Sequence, residues 1–199
     1  MEKNDGKIFG FHRNIFFLGL VSLFTDISSE MIYPLLPVFL VSVLGVGPTF
    51  VGLVEGVAEA TASFLKLFSG WFSDRRQKRK FLVVSGYTLS TLTRPLVAAA
   101  TAGWHVLFIR FLDRVGKGIR TSPRDALAAN LVQPHLRGTA YGLFHFSIGL
   151  STLPASLLMG FLWETVSPKA AFGFGAVLAL LAAGLLWLTI REQKYEAVE

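Results

Sequence analysis

Apolar runs of helical length, broken by short polar stretches, occupy almost the whole chain. An α-helix rises about 1.5 Å per residue, so about 20 apolar residues cross the hydrocarbon layer of a bilayer. The runs predict six helices, over 14–41, 49–73, 81–102, 104–122, 138–163 and 169–190. The fourth is the most polar, with charges heaped in its second half. The connections Gly45–Pro48, Thr101–Gly103 and Ser167–Pro168 are short and carry Gly or Pro. Such turns make consecutive helices antiparallel neighbours. The expected fold class is all-α: a six-helix polytopic transmembrane bundle over residues 14–190, with tails at 1–13 and 191–199. The first run does not read as a cleaved signal peptide. It is too long, holds Asp26 and Glu30, and lacks a small-residue cleavage site.

Two small-residue pairs at four-residue spacing, Gly52 with Gly56 and Gly138 with Gly142, predict close helix packing. The Ala- and Gly-rich stretch from Ala170 to Gly184 reads the same way. Pro34, Pro37, Pro95 and Pro154 lie inside apolar segments, where each frees a backbone carbonyl and can kink its helix.

Composition agrees with a membrane protein. Of 199 residues, 52% are hydrophobic and 16% charged, with mean hydropathy +0.54, against about 45–50% and about 25% in soluble domains. The absence of Cys excludes disulfides and thiolate metal sites. A net charge of +6 could suggest nucleic acid, but no soluble basic domain is left over to bind it. The basic residues instead fall on one side of the predicted helices. Lys3, Lys7 and Arg13 precede the first; Arg75, Arg76, Lys78, Arg79 and Lys80 join the second to the third. Arg120, Arg124 and Arg137 flank the fourth connection, and Arg191 and Lys194 follow the last helix, whereas the other side offers only Lys169. The positive-inside rule then puts both termini in the cytoplasm, with the chain in the cell's cytoplasmic (inner) membrane and lipid as its constant partner.

A charge in hydrocarbon costs several kcal/mol, so it normally faces a partner or a watery cavity. The first helix sets Asp26 and Glu30 on one face, extended by Tyr33. The second carries Glu55, Glu59, Ser63 and Lys66 at helical spacing, with Glu55 near the outer surface. Arg94 precedes Pro95 in the third; Arg110, Asp113, Arg114 and Lys117 line one side of the fourth; His145 lies in the fifth. Lys66 and Lys117 can snorkel to the cytoplasmic interface. The candidate pathway for a substrate or coupling ion comprises Asp26, Glu30, Tyr33, Glu59, Arg94, Arg110, Asp113 and Arg114. A carboxylate of raised pKa beside a cavity could carry a proton. An Arg could hold an anionic group of a substrate through two parallel hydrogen bonds. The competing reading is a structural ion-pair network that fixes helix register.

Enzyme signatures are missing. Leu67 stands where an intramembrane serine protease of G-x-S-G type would need Gly before Ser69. Gly116-Lys117-Gly118 lacks the spacing of a phosphate-binding loop. His12, His105, His135 and His145 show no metal-ligand spacing, so no metal or cofactor is expected.

The segment Gly70–Lys80 resembles motif A of the major facilitator superfamily, G-x-x-x-D-R-x-G-R-[RK], which joins helices 2 and 3 there. Gly70, Asp74 and Arg75 match, Lys78 and Arg79 keep the positive charge, and Gln77 replaces a Gly. The resemblance implies that these residues form a conformational latch on the cytoplasmic side. Asp26-Ile27-Ser28-Ser29-Glu30-Met31-Ile32-Tyr33-Pro34 is similar to helix 1 of a bacterial and archaeal branch, and so is Asp113–Thr121 with Pro123–Leu127 to its helix 4. Arg110 loosely fits the antiporter pattern R-x-x-Q-G-x-G, which leaves proton coupling open. Members usually have twelve helices in two six-helix halves. Leu136–Phe146, Leu153-Pro154-Ala155-Ser156 and Gly160–Trp163 resemble helix 11 more than helix 5. The chain is therefore expected to join the equivalent of helices 1–4 to helices 11–12, near Ala126–Leu131. The resemblance implies secondary transport of a small solute by alternating access, with a homodimer or a partner completing two bundles. The alternative is a non-transporting membrane scaffold, regulatory partner or internally deleted remnant.

Overall fold

The computed structural model describes residues 7–8, 11–76, 79–130, 135 and 137–189. Strands β1 (Lys7–Ile8) and β2 (Phe11–His12) pair antiparallel ahead of the helices. Then come α1 (Arg13–Ile32), α2 (Leu36–Val38), α3 (Pro48–Arg76), α4 (Arg79–Thr93), α5 (Pro95–Ala98), α6 (Gly103–Asn130), α7 (Arg137–Thr165) and α8 (Pro168–Thr189). α1 with α2, and α4 with α5, are each one membrane helix broken by proline, which gives the six expected rods.

The breaks have local causes. Pro34 has no N–H, so the first rod loosens over 33–35 and Leu36 N–H reaches back only to the Tyr33 carbonyl. The rod resumes as α2 and widens into a π-type turn over Phe39–Val43. Gly45, at φ 67°, ends it in the left-handed conformation that glycine tolerates best. Pro95 likewise separates α4 from α5 at Arg94. Pro48, Pro95 and Pro168 each open a helix, where the missing N–H would be unpaired anyway. Pro123 and Pro154, by contrast, sit inside unbroken α6 and α7. The fourth rod runs on to Asn130 instead of stopping at 122, so its basic end belongs to the helix.

α6 packs between α3 and α4, while α1 packs on α7 and α8, and α8 also meets α4 and α5. The main core joins Met31, Ile32, Leu36, Phe39 and Leu40 to Met159, Ala171 and Phe172. Phe39, Trp163 and Phe172 meet edge to face, with ring centroids 5.0–6.5 Å apart, an arrangement aromatic quadrupoles favour. Ala171, Ala176, Ala179 and Ala182 of α8 are buried, and Ser28 Oγ donates to the Gly175 carbonyl at 2.7 Å. The small-residue reading of the last helix therefore holds.

The two glycine pairs behave otherwise. A Cβ added at Gly52, Gly56, Gly138 or Gly142 would meet nothing within 4 Å among the described residues, so these glycines pack no described helices together. Close packing is done elsewhere. A Cβ at Gly86 would fall 2.6 Å from the Gly116 carbonyl, and one at Gly118 would fall 2.5 Å from Leu65 Cβ. These glycines bring α4 and α3 against α6 nearly backbone to backbone.

Large apolar side chains cover much of the outside, among them Phe64, Leu67 and Trp71 on α3 and Leu150, Leu153, Leu157 and Phe161 on α7. Such a surface is a liability in water and ordinary in lipid. Leu23–Val43 and Pro168–Leu185 are long and apolar enough to cross a membrane by composition alone. The third and fourth rods instead carry Arg94, Arg110, Asp113 and Arg114, charges that the bundle buries.

Candidate functional site

α6 presents Arg110, Asp113 and Arg114 along one stripe, and Arg94 comes in from the break between α4 and α5. All four are at most 5% exposed. Asp113 stands 3.5 Å from Arg94 Nε, and the Tyr33 hydroxyl donates to its other oxygen. Arg94 in turn donates to the Thr25 carbonyl at 2.7 Å and to Ser29 Oγ at 2.5 Å. The break at Pro95 thus delivers a guanidinium to α1 and α6 together. An unpaired charge here would be costly, and this cluster supplies each with an opposite partner.

α3 runs beside α6 and brings two carboxylates in matching register. Glu55 accepts a hydrogen bond from Arg110 Nη2 at 2.7 Å, and Glu59 lies 3.2 Å from Arg114 Nη1. Both pairs have four-residue spacing, so they form two successive rungs. Tyr33 lies under both cations, its ring centroid 3.7 Å from Arg110 Cζ and 4.7 Å from Arg114 Cζ, within cation–π range. Further along, Ser69 Oγ donates to the Gly118 carbonyl and Ser122 Oγ to the Lys66 carbonyl, which locks the α3–α6 register.

The gap enclosed by Tyr33, Arg94, Arg110, Asp113 and their apolar neighbours measures about 10 Å³, about what a single water needs. This gap is too small for a solute. The network opens instead at its α3 edge, where the Glu55 and Glu59 side chains are 35% and 59% exposed.

Six of the eight expected pathway residues, Tyr33, Glu59, Arg94, Arg110, Asp113 and Arg114, are brought together. Asp26 and Glu30 are not: both are half-buried, and Asp26 Oδ2 has no hydrogen-bond partner among the described residues. Glu55, which reads as near the outer surface from its position in the chain, makes the shortest ion pair of the cluster. Thr25 and Ser29 are also additions. Tyr87, another, packs its ring 4.3 Å from the guanidinium of Arg120.

At the cytoplasmic-type motif, Gly70, Asp74 and Arg75 lie in the last turns of α3 rather than in a loop. Arg79 opens α4 and pairs with Asp74 at 3.1 Å, and Arg75 lies over the Trp71 ring at 4.7 Å. Lys78 and Gln77 fall outside the described residues, as does the side chain of His145.

The family profile of the Major Facilitator Superfamily matches residues 18–199. The chain belongs to this superfamily. It is therefore a multi-pass membrane protein of a transporter family, whose members are generally not enzymes. An uncharacterized MFS-type transporter of Methanocaldococcus jannaschii is 36% identical over 143 residues, covering 72% of this chain and 35% of that protein. Multidrug resistance protein MdtH of Yersinia enterocolitica is 28% identical, covering 87% of this chain and 43% of its own length. The crystal structure of a peptide transporter POT superposes with a TM-score of 0.77 at 19% identity, over 93% of this chain and 39% of that one. This last likeness bears on the fold alone. The chain spans less than half the length of the curated relatives it matches.

Proposed function

We propose that the chain is one bundle of a secondary transporter that moves a small solute across the cytoplasmic membrane by alternating access. The observation that carries this is the charge network: buried within the bundle, paired across helices, and open along the α3 edge. Because the internal gap is water-sized, the solute path runs between this bundle and a second one. A second copy of the chain, or another partner, supplies it. Both termini face the cytoplasm, as the distribution of Lys and Arg favours. Glu59 borders the path, Tyr33, Arg94, Arg110, Asp113 and Arg114 form the network behind it, Asp26 and Glu30 complete the candidate pathway, and proton coupling would use these carboxylates. Gly70, Asp74, Arg75, Lys78 and Arg79 act as the cytoplasmic latch, with the Asp74–Arg79 pair in place.

Residues 131–190 are proposed to derive from helices 11 and 12. The two halves of the superfamily are related by a pseudo-two-fold axis along the membrane normal. Helices 11–12 therefore occupy in one half the places of helices 5–6 in the other, and a chain of either origin folds as one six-helix bundle. Separate alignment of 1–125 and 131–190 to a full-length relative distinguishes them: the second piece should score higher against the end of that protein.

The test of function is reconstitution. The protein in nanodiscs is expected to carry two copies, and proteoliposomes should take up solutes from a mixture of small metabolites, with loss on Arg94→Gln. Absence of any solute movement, whatever the oligomeric state, overturns the proposal and favours a non-transporting scaffold, regulatory partner or remnant.

A further inference from the structure

We infer that Arg114, with Arg110 beside it, is an oxyanion-binding site that Glu59 occupies in the absence of ligand. The inference rests on the transport reading for its purpose but not for its chemistry. Two guanidiniums share one tyrosine ring, at 3.7 and 4.7 Å. Like charges so close need anions between or around them. Each guanidinium has five N–H groups, yet Nε and Nη1 of both Arg110 and Arg114 are buried without a hydrogen-bond partner among the described residues. Unmet buried donors are costly, and more so on a cation.

The nearby acids do not meet this demand. Asp113 is engaged by Arg94 and Tyr33. Glu55 holds Arg110 by one hydrogen bond at 2.7 Å. Glu59 approaches Arg114 at 3.2 Å without hydrogen-bond geometry, and its side chain is 59% exposed. Lys117, one turn beyond Arg114, makes no ion pair among the described residues. Arg110, Arg114 and Lys117 thus face Glu55 and Glu59, a surplus of one positive charge. Glu59 is the loosely held partner on the open side. A carboxylate or phosphate arriving there can displace it and take the free edge of Arg114 through two parallel hydrogen bonds, the geometry guanidinium favours. The head group binds at the α3 edge, while the rest of the ligand stays in the space outside the bundle.

Equilibrium binding tests this without transport. Calorimetry on the purified full chain in detergent would titrate butyrate and inorganic phosphate separately, at ionic strength fixed with sodium chloride. Binding of butyrate alone assigns a carboxylate head, and of phosphate alone a phosphate head. The decisive variant is Glu59→Gln, which removes the competing carboxylate and should tighten binding about two- to five-fold, the range set by a partly exposed ion pair. Arg114→Gln should abolish binding, and Arg114→Lys should weaken it while keeping the charge. If Arg114→Gln does not fold, the tightening by Glu59→Gln decides alone. No binding to the parent and the Glu59→Gln variant, or binding unchanged or weakened by Glu59→Gln, overturns the inference. Solute movement without oxyanion binding would refute the site and keep the transport reading; binding without movement would do the reverse.

Discussion

The phenol of Tyr33, at the break that Pro34 makes in the first rod, donates its hydroxyl hydrogen to the carboxylate of Asp113, 80 residues away on α6. The same ring supports Arg110 and Arg114. One side chain thus ties the kink of the first rod to the charged stripe of the fourth. Tyr33→Phe should keep the ring and lose only the hydrogen bond. Such bonds inside membrane proteins average about 0.6 kcal/mol, so unfolding in detergent should shift slightly. Tyr33→Ala removes the platform as well and should cost several times more.

Arg94 and Asp113 form a buried pair, and removing one partner leaves the other charge stranded. Arg94→Gln and Asp113→Asn should each destabilise by about 3–5 kcal/mol. The double variant should recover much of the loss. A double-mutant cycle by denaturant unfolding in detergent checks this, and strict additivity of the two losses would show that the residues do not interact.

The glycines divide sharply in expected cost. Gly116→Ala drives a methyl to within 2.6 Å of the Gly86 carbonyl and Ser90 Oγ, so α4 and α6 must move apart. Gly56→Ala meets open space and should be neutral or stabilising by up to about 1 kcal/mol. Thermal unfolding of the two variants in one detergent gives the comparison. Equal losses would mean that Gly56 is packed against something in the assembled protein, such as a second bundle.

Orientation is testable because the chain has no Cys. Thr101 lies in the connection between α5 and α6, and Arg76 ends α3 on the opposite side of the bundle. A membrane-impermeant thiol reagent on intact cells should label Thr101→Cys and spare Arg76→Cys. The reverse pattern would invert the topology.

Much of this architecture is written in the apolar runs. All six rods lie where hydrophobic length and the Gly and Pro turns put them, because the bilayer demands long apolar segments whatever their neighbours. Arg94, Arg110, Asp113 and Arg114 were legible for the same reason, since charge in such segments stands out. Thr25 and Ser29 were not. Hydroxyls are common in helices, and their bonds to Arg94 appear only once α1 meets the end of α4. Glu55 reads as near the outer surface from its depth along one helix, a reading that does not point to Arg110. Its partner is set by the shared four-residue spacing of Glu55–Glu59 and Arg110–Arg114, a signal present in the chain but visible only when α3 is known to run beside α6. The glycine pairs pack no described helices together: a G-x-x-x-G spacing says that close approach is available, not which helix uses it. Gly86 and Gly116, which do meet, lie on different helices and form no local motif.

The central claim is that the α3 edge of the charge network faces water in the membrane-embedded protein while the adjoining face meets lipid. Ser63 and Phe64 are neighbours in sequence, both exposed, and about 100° apart around the helix. Ser63 lies one turn beyond Glu59. The most direct measurement is the reaction rate of Ser63→Cys and Phe64→Cys with a small water-soluble thiol reagent in native membranes. Ser63→Cys should react readily and Phe64→Cys should stay inert. Equal inertness of the two would place the network edge in lipid and contradict a water-lined path between two bundles.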